Sequence, residues 1–186
     1  MIAFRMRKLY LSLDRERAGM SDTANAILDA AEERIRQAGY SGFSFREVAA
    51  DIGVKSSSVH YHFPTKEKLA AAVARRYTDR FLEAVDNELA GGGDIVRAWR
   101  EVFRKAFHRD GRMCLCGALA ATSHDLAEDV RIEVKRFFLL GIEKLTAGGL
   151  DKDTAVHVLA TLEGAMLTAN ILDDRSMFDS GSAALA

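Results

Sequence analysis

Between Ser44 and Phe63 the sequence SFREVAADIGVKSSSVHYHF sets Ala49, Gly53 and Val59 at the spacing that two short helices and a tight turn require. A small residue lets the two helices approach, a glycine turns the chain, and an apolar residue on the second helix locks the pair. Ser44, with Glu47 three residues on, reads as a capped start for the first helix, which the pattern runs to about Ile52. The second is predicted from about Ser56 to Phe63, because Pro64 disfavours helical geometry in the residue before it. Any fold for this chain has to accommodate that hairpin.

The flanking sequence reads as helix as well. From Thr23, the residues Ile27, Leu28, Ala31 and Ile35 fall on one face, and Gly39 ends the run. Thr65 caps an unbroken stretch from Lys66 to Leu89, with Leu69, Val73, Tyr77, Phe81 and Val85 on one side. Gly91, Gly92 and Gly93 mark the clearest boundary, after which Asp94 caps a helix to about His108. Asp110 and Gly111 form a turn, Arg112 to Thr122 is short and apolar, and Ser123 to Asp125 is a connection. Two strong helices close the pattern, Leu126 to Ala147 and Asp153 to Asp173; the tail after Ser180 reads as weakly structured. With one proline in 186 residues and no strand-like alternation, the expectation is an all-α chain. Its expected parts are a basic extension over 1–20, a three-helix domain with the hairpin over 21–66, and a helical body over 67–186.

Charge divides along the same line. Residues 1–80 hold 14 Lys and Arg against 10 Asp and Glu, and residues 81–186 hold 12 against 17, so a basic module precedes an acidic one. No run of apolar residues is long enough for a membrane helix. Charges interrupt the start of the chain too early for a signal peptide. Two cysteines do not make a disulfide scaffold and fit a reducing cytoplasm. No nucleophile elbow, phosphate loop or metal-binding helix occurs, so no enzyme activity, cofactor or metal is expected.

The hairpin has the spacing of a DNA-binding helix-turn-helix, whose second helix enters the major groove. Ser56, Ser57 and Ser58 permit close approach and form hydrogen bonds; His60, Tyr61 and His62 add donors and flat apolar surface. Lys55 and Lys66 flank the element and are placed to neutralise phosphates. A hairpin that merely packs is the alternative, but three consecutive serines are poor helix filler for a purely structural unit.

The longer stretch GFSFREVAADIGVKSSSVHYHFPTKEKL closely resembles the helix-turn-helix signature of the TetR family of transcriptional regulators, down to Phe63-Pro64-Thr65-Lys66-Glu67-Lys68-Leu69. The resemblance covers about Thr23 to Leu69, and the rest only in layout. It implies that Ser44, Arg46, Ser56, Ser57, Ser58, His60, Tyr61, His62 and Lys66 lie at or near DNA. The chain departs from the family where His60 replaces a common tyrosine, and where Ser56 and Ser57 replace a common lysine and glycine. The resemblance further implies a homodimer on a palindromic double-stranded DNA operator, released by a small-molecule effector bound in the body. The rival reading is a helical carrier or enzyme whose hairpin is only structural.

In such a body, Trp99, Phe103, Phe107, Phe137 and Phe138, with Cys114 and Met166, would line the effector cavity; an aromatic stripe at this spacing is equally good core. The last two long helices would form the dimer interface through Val134, Gly141, Ala155, Leu159, Leu162, Met166 and Ala169, unless these face their own core. Cys114, after the turn, is expected in a first helical turn, where backbone amides and Arg112 would favour a reactive thiolate; inert buried cysteines are the plainer reading. His157 is expected to be a hydrogen-bonded core residue.

Overall fold

A computed structural model describes residues 22–185, and all their regular secondary structure is helical. The extension expected over residues 1–20 lies outside the described residues. The order is α1 (Asp22–Ala38), α2 (Phe45–Asp51), α3 (Ser56–His62), α4 (Lys66–Ala90), α5 (Ile95–Asp110), α6 (Leu115–Ala120), α7 (Glu128–Ala147), α8 (Lys152–Ile171) and α9 (Ser176–Ser182), with single 3-10 turns at Ser123–Asp125 and Ala183–Leu185.

Helices α1, α2 and α3 pack with the first turns of α4 around Ile27, Leu28, Ile35, Val48, Val59 and Leu69, all fully buried. The expected signals form this head. Ser44 accepts from the Glu47 amide at 3.3 Å and donates to the Glu47 carboxylate at 2.8 Å, so the expected cap is in place. Gly53 turns the chain at φ +69°, which a side chain would resist. Arg34 ties α1 to α2 through Asp51 at 2.7 Å and Glu47 at 3.1 Å.

Helix α4 runs out of the head into the body, where α5 and α7 pack along it. Phe81 sits at the hub of that packing, 5.0 Å from Phe103, 5.4 Å from Trp99 and 5.4 Å from Phe137, ring centre to ring centre. Arg136 to Asp79 and Arg75 to Glu133, each at 2.7 Å, hold α7 to α4 by charge.

Three local expectations are corrected. The residues after Ser180 close α9 and form the turn after it, because the buried Ser182 hydroxyl bridges Arg100 and the carbonyl of Phe178, which is itself fully buried 5.9 Å from Phe107. One buried aromatic anchors a segment too short to show a helical period. Cys114 is the residue that caps α6, not a member of its first turn. His157 is exposed on α8 instead of buried in the core.

Candidate nucleic-acid interface and body groove

On α3 the buried side is Val59, and the opposite side is Ser57, His60 and Tyr61, three and four residues apart and all exposed. Tyr61 stands out most, 85% exposed for a large aromatic ring. The ring is therefore open to contact from outside the chain. His60 is braced edge-on against Phe45 of α2 at 4.5 Å, and His62 packs against Tyr61 at 5.2 Å. Ser56 and Ser58 are half-buried on the flanks.

Arg46, near the start of α2, and Lys55, just before α3, are exposed on the same unit. Lys66 is half-buried, its ammonium 4.9 Å above the Tyr40 ring and 4.7 Å above the Phe43 ring. The two rings fix the charge at the amino end of α4, which sequence reasoning left without neighbours. The Ser44 hydroxyl is engaged as a cap.

In the body, Trp99, Phe103, Phe107 and Phe137 are solvent-free and packed on one another or on Phe81 and Phe178. Each contributes roughly 2–3 kcal/mol by leaving water, which favours core over cavity wall. Met166 is buried as well, its sulfur accepting from the Cys114 amide at 2.8 Å. Of the aromatics expected to line a cavity, Phe138 does so: it borders an apolar groove of about 430 Å³ between α6, α7 and α8, together with Met113, Gly117, Ile142, Leu159 and Glu163.

The residues expected to form the dimer interface face inward. Val134, Gly141, Ala155, Leu159, Leu162, Met166 and Ala169 are all buried within the chain itself. Gly141 shows how tightly: a β-carbon there would lie 3.0 Å from Trp99 and 3.2 Å from Leu159. The other side of α8 carries Val156, Ala160, Gly164, Leu167 and Ile171 at helical spacing, all exposed, and Leu139 of α7 is exposed too. Helix α8 is therefore apolar on both sides, and the side expected at the interface is the one that packs on its own chain.

The thiolate expected at Cys114 is overturned by burial. Both thiols are solvent-free, and desolvation pushes each well above the ordinary thiol range, with the negative charge of Glu163 adding to the effect. The capping geometry that suggested a thiolate exists, since Cys114 Sγ accepts from the Gly117 amide at 3.5 Å, but it is the weaker influence. Sequence reasoning missed Glu163 itself, whose signal was a lone charge in the apolar run from Val156 to Ala169.

The family model described as "Bacterial regulatory proteins, tetR family" matches residues 27–73, which hold the hairpin. The HTH-type transcriptional repressor DhaR of Mycobacterium sp. (strain GP1) is 26% identical over 156 residues, 76% of this chain and 79% of that protein. The HTH-type transcriptional repressor NemR of Escherichia coli (strain K12) is 24% identical over 157 residues, 81% of this chain and 78% of that protein. The crystal structure of a TetR transcriptional regulator from Legionella pneumophila superposes with a TM-score of 0.80 at 28% identity, covering 90% of this chain and 97% of that one. Among the described residues no helix is long and apolar enough to cross a membrane.

Proposed function

From the premise that this chain is a TetR-family regulator, by its amino-terminal domain and by its fold, we propose that it is a ligand-responsive transcriptional repressor. It acts as a homodimer on a palindromic operator. The single observation that carries the reading is the exposed Ser57, His60 and Tyr61 face of α3, set on a hairpin braced by Val59 and Phe45. Two such faces related by a two-fold axis meet successive major grooves, and Arg46, Lys55 and Lys66 supply phosphate contacts.

The unpartnered apolar side of α8, with Leu139 of α7, supports pairing of two copies through these helices. The groove lies on the α6 side of that face. Helix α6 follows the loop whose Arg112 and Met113 carbonyls accept from Arg36 of the head, at 3.2 and 3.0 Å. An effector that fits one position of α6 better than another thereby biases the head, and with it the separation of the two reading helices.

The test is retardation of duplex DNA by the full chain in excess non-specific competitor, with the stoichiometry measured by sedimentation. Two chains per specific duplex, with affinity falling steeply as salt rises, support the reading. A chain that binds every duplex alike, or none, overturns it.

A further inference from the structure

We propose that the body groove binds a lipophilic cation, an apolar ligand whose protonated amine sits against the Glu163 carboxylate. This names the effector class for the regulator proposed above, and only the release of DNA, not the binding itself, rests on that reading.

Glu163 is the one charged residue among those lining the groove; the others are apolar or glycine. Both of its carboxylate oxygens are sealed from water in the unliganded chain, and their one hydrogen-bonding neighbour among the described residues is the weakly donating Cys114 thiol. A carboxylate in that position is costly unless something pairs with it. The Cys114 thiol, at the cap of α6, lies close enough to favour the charged form weakly, but burial dominates and lifts the carboxyl to about 7. The group is therefore ionisable near neutral pH and lacks a counter-charge.

The chain makes room for this carboxylate. A β-carbon on Gly117 would lie 2.2 Å from Glu163 Oε2, so any side chain at that position would take the space. The walls suit the rest of such a ligand. Phe138, Ile142 and Leu159 form the apolar inner side, and Val156, Ala160 and Leu167 form the rim. That rim is part of the face assigned above to a second copy. Packing of the copy encloses the groove and lowers its dielectric, which strengthens a cation–carboxylate pair.

A neutral donor is the competing occupant, and the two separate cleanly. The full chain at pH 8 is titrated by calorimetry with 4-phenylbutylamine, a cation, and with 4-phenylbutan-1-ol, its neutral counterpart. The wild type should bind the amine at least about tenfold more tightly. Glu163→Gln, which keeps the shape and removes the charge, should bring the two affinities within about twofold while the circular dichroism stays unchanged. Ala121→Trp, which fills the groove from the exposed end of α6, should weaken both ligands and leave Glu163 in place. Equal affinities in the wild type, no binding of the amine, or a preference that survives Glu163→Gln would overturn the proposal. A gel shift with the same amine reads the regulatory step separately. If the amine binds as stated and DNA stays bound, the groove assignment stands and the ligand-release reading falls.

Discussion

Arg36 of α1 forks onto Asp110 at the end of α5, with hydrogen bonds of 2.7 and 3.1 Å, and its side chain is only 3% exposed. The same guanidinium also takes the Arg112 and Met113 carbonyls, so one side chain joins the head to the loop that leads into α6 and the groove. Removing one partner of a well-buried ion pair typically costs about 3–5 kcal/mol, less here because Asp110 is 21% exposed. Arg36→Ala should therefore lose about 2–3 kcal/mol in denaturant unfolding at pH 7. It should also bind operator without releasing it to effector. Burial works against ionisation of Asp110, but the Arg36 fork and the Arg112 amide outweigh it and hold that carboxyl below its usual range. A depressed carboxyl contributes stability above its unfolded pKa and loses it as pH falls through the folded one. The difference between wild type and Arg36→Ala should thus be constant from pH 8 to about 5 and shrink in stronger acid.

Tyr61→Ala should lower specific operator affinity by about 10- to 100-fold while sedimentation still reports the wild-type assembly. Lys55→Ala should weaken all duplexes alike and reduce the slope of log affinity against log salt by about 1.

Leu167→Glu should convert the dimer to a folded monomer in light scattering, because it charges the exposed side of α8. Leu162→Glu should instead unfold the chain, since that residue is completely buried in its own subunit.

Glu163 gives the unliganded protein a pH dependence of opposite sign to that of Asp110. Its folded pKa is raised from 4.5 to about 7 by desolvation, so the folded state holds the proton longer and stability falls as pH rises across that window. The full effect is about 3 kcal/mol. Glu163→Gln should accordingly be more stable than wild type above pH 7, with the gain vanishing below about pH 4.5 in paired urea titrations.

Cys114 and Cys116 should resist brief iodoacetamide treatment in the native state and react in urea, as mass spectrometry would show, because both thiols are buried and protonated at neutral pH.

The head was legible because its determinants are local: Ala49, Gly53 and Val59 lie within one hairpin, and Ser44 caps across three residues. The body was legible as helices but not as surfaces. Helix α8 carries Ala155, Leu159 and Leu162 on one side and Val156, Ala160 and Leu167 on the other, so a helical period finds two apolar faces and cannot say which meets its own core. The site residues that depend on distant partners were not visible at all. Glu163 is defined by Gly117 on another helix, and Arg36 by Asp110, which is 74 residues away. Cys114 shows the same gap: its place beside the start of α6 was legible to within one residue, but its burial, which decides its chemistry, comes from contacts such as Met166 on α8, 52 residues away.

The central claim is that the exposed face of α3 reads DNA sequence. Selection from a pool of random duplexes with the full-length chain, run in parallel with Tyr61→Ala, tests it most directly. The account predicts enrichment of an inverted repeat whose half-sites are spaced for two major grooves on one side of the helix, and loss of that enrichment with Tyr61→Ala. No enriched sequence with the wild type, or the same inverted repeat recovered equally well with Tyr61→Ala, would contradict it.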